Sequence, residues 1–471
     1  MTFYHKYLFL DQFTPVSIYQ KIQEIFPDEI TFLFESVVND SDGNFSYIII
    51  GDRERVIHKD SKSFYIDENK QKHQIDDNPF VFLKEYYNKI DTNLYKEQSE
   101  KIGIGLIDGF IGNIGYDMVQ EFEPRLKKSM TNLKDELHIA DFDLIRPKLL
   151  LAYSHKSSKL TFVTSLEEYS KFFDIIETKI KEGTVYTPLK KAVLLDEGKF
   201  EHSKEKFFDM VKKSKQMIRS GDVFQILMTN RYTQKAQVDH LSFYRALRSK
   251  NPSPYLFLLE YEDFTIAGSS PEVMVKLTNG EILLRPIAGT RKRGKTIAKD
   301  HEMMIELQND PKEIAEHVML IDLGRNDVGR VAKSGTVQVT DKMRVEKYSH
   351  VMHLVSDVEA TLDDKYDMFD LFASTFTAGT MTGAPKIRAM ELIAEFEGLK
   401  RGFYSGSVAF FGFDGNMDSA ITIRTSLLTD DKIIFQAGAG IVADSIDELE
   451  FLEVTNKLKA NIETLKDLSK I

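Results

Sequence analysis

Four glutamates in two pairs are the first residues whose spacing could do chemistry. Glu313 and Glu316 lie in DPKEIAEHVMLIDLGRND, and Glu450 and Glu453 lie in DELEFLEVTNKLK. Spacing of i, i+3 sets both members of a pair on one helical face. Each segment also carries the apolar residues of a partly buried helix. Hard carboxylate oxygens suit Mg2+, which keeps several waters and bridges to anionic substrates. Two ordinary solvated acidic faces would read the same way, so the pairs alone leave both readings open. Cations and small residues add to the first. Arg424 ends a strand in AITIRT, Lys457 lies one turn past Glu453, and Gly438 and Gly440 read as a turn whose backbone N–H groups can meet a carboxylate. Lys386 sits in AGTMTGAPK, a loop rich in Gly and Thr. Arginine can hold a carboxylate through two parallel hydrogen bonds. Together these groups describe metal-assisted chemistry on a small dicarboxylate.

Two motif matches point elsewhere and are rejected. Gly289 to Thr296, GTRKRGKT, fits the P-loop expression after a strand-like run EILLRPIA. A P-loop must close tightly on phosphates with a helix N-terminus aimed into it. Here Arg291, Lys292 and Arg293 crowd the loop and Pro286 interrupts the strand, so a basic loop near an anionic ligand is expected. Gly438 to Ala443, GAGIVA, fits the weak dinucleotide fingerprint, but no βαβ unit surrounds it and little chain remains to build one.

The elements that must position these residues are mostly strands. Ser46–Ile50 and Leu149–Tyr153 read as strands, and a polar turn leads from the second to Leu160–Thr164, so a hairpin is expected. Glycines in KIGIGLIDGFIGNIGYD are expected to mark bulges or close backbone approach. Val223–Asn230, Tyr255–Glu260, Val408–Phe411, Ala420–Thr425 and Ile433–Ala437 read as further strands. Several follow one another without a crossover helix, which favours antiparallel pairing. Ser203 reads as an N-cap, with Phe207, Val211 and Ile218 at helical spacing and Gly221 ending the helix. The expected fold class is α+β, two packed antiparallel β-sheets flanked by helices. Weak periodicity over 183–203 places a boundary between an N-terminal region, 1–190, and a catalytic domain, 200–465.

Composition removes other classes. The chain has 471 residues and a net charge of −11, so it lacks the basic footprint of a nucleic-acid binder. No apolar run reaches the roughly 18 residues of a membrane span, and the N-terminus lacks a signal-peptide pattern. A cytoplasmic enzyme is expected. There is no cysteine, which excludes disulfides, thiolate metal sites and a Cys–His glutaminase within this chain.

At this point ordered blocks of the sequence resemble the chorismate-utilising enzymes. The blocks are SSPEVMVK (269–276), RPIAGTRKRG (285–294), KEIAEHVMLIDLGRNDVGRV (312–331), YSHVMHLVS (348–356), AGTMTGAPKIRAMELI (378–393), GFDGNMDSAITIRT (412–425) and GAGIVADS (438–445). The resemblance is dense over 200–460 and looser before it. The family includes anthranilate, aminodeoxychorismate, isochorismate and salicylate synthases. Isochorismate-type members carry a water-activating Lys where this chain has Gln225, and a neutral amide is a poor general base. Aminodeoxychorismate synthases, the alternative reading, typically carry a nucleophilic Lys where this chain has Ala288 in PIAGT. Both differences imply the anthranilate-forming branch, which turns chorismate and ammonia into anthranilate and pyruvate, the first step of tryptophan biosynthesis.

The resemblance also implies roles. Glu316 and Glu453 bind Mg2+, with Glu313 and Glu450 beside them, and the metal holds the ring carboxylate of chorismate. Tyr404, Arg424 and the Gly440 backbone, with Thr380 nearby, hold the enolpyruvyl group. Gly289, Thr290 and Gly438 are further substrate-binding positions, and Lys457 helps neutralise the ring carboxylate. Glu272 is the general acid at the C4 hydroxyl, and His353 assists pyruvate elimination. A separate glutamine amidotransferase subunit is the implied ammonia source. The family's tryptophan feedback site maps onto Glu35 and Ser36 for the ligand ammonium, onto the turn in SDGNFSYI (41–48), and onto Pro254, Tyr255 and Leu256 around the indole. Phe34 and Leu256 replace the usual leucine and methionine, so inhibition with altered affinity is expected.

Overall fold

The computed structural model describes residues 2–36, 45–183, 186–348 and 351–471. The strands pair antiparallel and form two sheets. The first runs in the order Tyr4–Phe9, Lys159–Thr164, Phe142–Ser154, Phe45–Lys59, Thr31–Glu35, Tyr255–Glu260, Thr265–Ser270, Thr425–Leu428, Lys432–Ile441, Gln225–Gln237. The second runs Lys72–Ile75, Lys62–Ile66, Phe45–Lys59, Phe142–Ser154, Gly109–Ile114, Ser407–Gly412, Met417–Ile421, Val273–Thr278, Glu281–Leu284, Val351–Thr361. Phe45–Lys59 and Phe142–Ser154 therefore belong to both sheets. Their pairing shifts register between Asp52 and Glu54, next to Gly51 at φ +69° and opposite Pro147. A bulge of this kind bends a strand, which lets one hairpin pass from layer to layer.

Alternation along the strands divides the core. Leu256 and Leu258 pack with helix residues Phe207, Phe243, Leu247, Val454 and Leu458 on the outer face of the first sheet. Phe257, Leu259 and Ile266 join Phe110, Phe142, Val275 and Phe411 of the second sheet in one continuous apolar cluster. This is the period-two logic of a strand buried on both faces. The expected α+β architecture is present. Strands before and after residue 200 share both sheets: Thr31–Glu35 lies against Tyr255–Glu260, and Gly109–Ile114 against Ser407–Gly412.

The glycine-rich segment does what its composition suggests. A Cβ on Gly109 would collide with the Phe411 carbonyl, and one on Gly112 with that of Asp143. Ser203 caps Lys204–Arg219 through the Lys206 N–H. No helix among the described residues is long and apolar enough to cross a membrane.

Candidate active site

Glu272 stands between the strands Thr265–Ser270 and Val273–Thr278, where Pro271 interrupts pairing. Its backbone carbonyl accepts from Ile421 N at 3.0 Å, which fixes the segment against the neighbouring strand. The carboxyl is buried, and Thr380 donates to its Oε1 at 2.9 Å. Burial pushes it up from 4.5 to about 7, against the smaller pull of the Thr380 hydrogen bond and of the Arg424 and Lys457 charges. A carboxyl in that state still holds a proton near neutrality, which is what a general acid requires.

His353 lies on Val351–Thr361 opposite Ile287–Lys292. Register there slips between Ala288 and Arg291, so Gly289 and Thr290 bulge, with Gly289 at φ +62°. The bulge turns the Gly289 carbonyl to His353 Nδ1 at 2.8 Å, with Thr290 Oγ1 at 3.1 Å. A carbonyl oxygen can only accept, so Nδ1 carries the hydrogen and Nε2 keeps its lone pair. Burial lowers the imidazole's pKa, so the ring is neutral at pH 7. Tyr348 packs its ring edge against the imidazole at 5.5 Å and donates to Glu346 Oε2 at 2.8 Å. Sequence reasoning quoted Tyr348 within a motif but gave it no role. Its position five residues before His353 was the available signal.

The four glutamates come from two long helices. Asp310 caps Pro311–Gly329 through the Lys312 and Glu313 N–H groups, and Pro311 occupies the first turn, where its missing N–H costs nothing. Glu316 on this helix accepts from Gln225 Nε2 at 3.2 Å. Its pKa is raised, first by burial, with the Glu313 and Glu453 charges adding to it. Glu450, on Asp447–Leu468, is raised by burial and by Glu453. Glu453 is half-exposed and pairs with Lys457 Nζ at 2.7 Å. Glu313 is bound to Arg291 Nη1 at 3.0 Å. Among the described residues, no three His, Asp or Glu side chains converge as a metal cluster. Two hard carboxylates on two helices, the charge of Glu453 reaching Glu316, still fit Mg2+, which uses few protein ligands and fills its shell with water and substrate oxygen. Glu316 and Glu453 are the residues that would hold it.

Arg424 follows the strand Met417–Ile421 and precedes Thr425–Leu428, at φ +49°. The expected continuous strand over Ala420–Thr425 is thus broken, and the break turns the arginine out of the sheet. Among the described residues its guanidinium has no carboxylate partner. Burial lowers its pKa, against the smaller opposing influence of Tyr348 and Glu272. A partly buried cation without a counter-ion is an anion site. Buried Tyr404 hydrogen-bonds the Gly438 backbone.

Three sequence readings are corrected. Gly438 and Gly440 form no turn: they lie within the strand Lys432–Ile441, paired with Thr229 and Leu227. The pattern GAG suggested a turn, but an antiparallel neighbour holds it extended, and a Cβ on Gly440 would meet Gln225 Nε2 at 2.6 Å. Lys386 offers no free charge: it is buried and neutralised by Asp327 at 2.5 Å. The arginines of the basic loop are likewise spent on internal pairs. Arg291 binds Glu306, Asp310 and Glu313, Arg293 binds Asp300, and Thr296 caps the next helix. Lys457 reaches the Gly438 carbonyl at 2.9 Å, which places it at the glycine strand.

Of the feedback positions, Glu35 and Leu256 face each other on adjacent strands. The Glu35 carboxylate is buried, accepts from Tyr244 Oη at 2.6 Å and pairs with Arg248 at 2.9 Å. Tyr255, with Pro254 beside it, bonds Asp418 Oδ1 at 3.0 Å, while Leu256 packs under the helices. Ser36 is the last described residue of its segment, and the turn at 41–44 lies outside the described residues.

The model of the chorismate binding enzymes matches residues 17–463. Anthranilate synthase component 1 of Aquifex aeolicus is 38% identical, covering 98% of this chain and 93% of its own. Its counterpart in Neisseria meningitidis serogroup B is 40% identical over 97% and 93%. The crystal structure of anthranilate synthase component I from Streptococcus pneumoniae superposes with a TM-score of 0.76 at 31% identity, over 91% of this chain and 94% of that one.

Proposed function

Since the chain belongs to the chorismate binding enzymes, we propose that it converts chorismate and ammonia to anthranilate, pyruvate and water. The observation that carries this reading is a buried carboxyl, Glu272, held protonated near pH 7 beside Arg424, a cation without a counter-ion. One matches a hydroxyl leaving group and the other a substrate carboxylate. Ammonia adds at C2 while Glu272 gives its proton to the departing C4 hydroxyl, which leaves as water. The neutral His353 Nε2 then takes the C2 proton as the C3–O bond breaks, and the enolpyruvate released becomes pyruvate. Arg424, Tyr404 and the extended backbone at Gly440 orient the enolpyruvyl group, and Lys457 stands at the ring carboxylate. Mg2+ held by Glu316 and Glu453 would neutralise that carboxylate. Gln225 spends its amide on Glu316 and offers no base for water, and Ala288 offers no nucleophile. Both features favour ammonia at C2.

A glutaminase subunit supplies the ammonia in this reading, because the chain has no cysteine to do so. Tryptophan acts as feedback inhibitor at Glu35, Ser36, Pro254, Tyr255 and Leu256. The deciding assay mixes the protein with chorismate, Mg2+ and an ammonium salt and follows anthranilate fluorescence. Fluorescence that is lost in Glu453→Gln is the expected result. A 4-amino product convertible to p-aminobenzoate would move the chain to aminodeoxychorismate synthesis.

A further inference from the structure

Lys386 and Asp327 form a buried ion pair with no part in the proposed chemistry. Asp327 lies in the last turns of Pro311–Gly329, the helix that also carries Glu316. Lys386 Nζ donates to Asp327 Oδ2 at 2.5 Å and to the Thr375 carbonyl at 3.3 Å. Asp327 lines a cavity of about 30 Å³, and Glu272 lines the same cavity. Thr375, Thr380, Arg285 and Gly324 stand in its wall. Arg424, Tyr404, His353 and Lys457 do not, so the cavity is distinct from the space those groups leave for substrate.

A water needs roughly 10–15 Å³ of such space and two or more polar partners, so the cavity takes about one or two. The two carboxyls supply partners. Thr380 donates to Glu272 Oε1 and Lys386 to Asp327 Oδ2, and among the described residues the other oxygen of each accepts from no protein group. A carboxyl offers about four lone-pair positions, so Glu272 can meet a substrate hydroxyl and a water together. Lys386 balances Asp327, so the pair adds no net charge near Glu272. Arg285 and Leu323, also in the wall, are partly exposed, which puts solvent at the cavity's edge. Each turnover strips Glu272 of a proton, which departs with the C4 hydroxyl as water. That proton must be replaced, and the cavity offers a route that does not cross the substrate.

We propose that water in this cavity returns the proton to Glu272 from behind, with Asp327 as the residue that positions it. The proposal rests on the anthranilate-forming reading above, in which Glu272 is the general acid. The Glu272 carboxylate takes a proton from the cavity water, and that water takes one from solvent acid, so it ends as water and no charge accumulates. Two variants test this. Gly324→Ala narrows the cavity: its Cβ would meet Leu284 Cδ2 at 2.8 Å, the end of a flexible side chain that also lines the space. Alanine is the better helix residue, so the fold should hold. Asp327→Asn keeps the shape and removes the carboxylate. At pH 8 and one fixed ammonium concentration, kcat at saturating chorismate should fall about tenfold in each, a fraction of the roughly 10²–10⁴ that general acid catalysis supplies, with KM for chorismate unchanged. Imidazole buffer, added at constant pH and ionic strength, should restore kcat in the variants and leave the unaltered protein as it was, because a small acid replaces the lost water. A fall in kcat that imidazole does not restore would mean that Gly324 and Asp327 only pack. A kcat within about twofold of the unaltered protein in both variants would mean that Glu272 is reloaded from the substrate side. Either result overturns the proposal. If one variant does not fold, the other decides by the same two readouts. Absence of anthranilate from the unaltered protein would instead sink the underlying reading.

Discussion

A carboxyl that titrates at about 7 instead of 4.5 costs the fold free energy whenever it is ionised. For Glu272 that cost is absent below its unfolded value, grows as pH rises from 4.5, and is complete above about 7. The difference corresponds to about 3 kcal/mol. Glu272→Gln keeps the shape and cannot ionise, so at pH 8 it should melt at or above the unaltered protein's Tm. The same substitution should lower kcat by about 10²–10⁴. With neutral ammonia held constant, kcat/KM for chorismate should fall above about pH 7 in the unaltered protein. That limb should vanish in the variant. A rate that is flat from pH 6 to 9 would take the acid role from Glu272.

Helices and strands set which residues could be read in advance. The acid pairs were legible because i, i+3 spacing is a local property, and both pairs do lie on helices. Glu272, His353 and Thr290 were named through the family blocks, and the structure brings Glu272 to Thr380 and His353 to Gly289 and Thr290. The strand break at Arg424, the extended Gly438–Gly440 and the burial of Lys386 were not legible. Each depends on a partner distant in sequence: Ser269, Leu227 and Asp327 respectively. The extended glycine strand carries its own prediction. A methyl on Gly440 would push only the Gln225 amide, the far end of a flexible side chain, so Gly440→Ala should leave Tm nearly unchanged. It also enters the enolpyruvyl space, so KM for chorismate should rise about tenfold. Gly109→Ala is the contrast. Its Cβ meets the Phe411 backbone, and stability should fall while KM holds.

Across the molecule, one strand separates the strand that carries Glu35 from the strand that leads to Glu272. Thr31–Glu35 pairs with Tyr255–Glu260, which turns into Thr265–Ser270 and then reaches Glu272. A tryptophan bound at Glu35 could bias the general acid through two strand pairs. Saturating tryptophan should therefore depress activity, and Glu35→Gln should relieve it at unchanged KM for chorismate. Activity indifferent to tryptophan would remove the feedback reading. The division at 183–203 meets a harder test. Residues 200–465 alone would expose Tyr255–Glu260 and Ser407–Gly412 as apolar edges. That fragment should be insoluble on its own and recover when residues 1–190 are supplied as a second chain.

The same long-range pairing has a temporal side. Gly109–Ile114 pairs early with Phe142–Ser154 but finds its second partner only when Ser407–Gly412 has been synthesised. At about 5–20 residues per second, roughly 15–60 s of translation separate the two. During that interval the nascent chain presents a glycine-lined strand with one edge left open. Its folding is therefore paced by the ribosome, and yield in a cell should respond to holdase chaperones more than to changes in final stability.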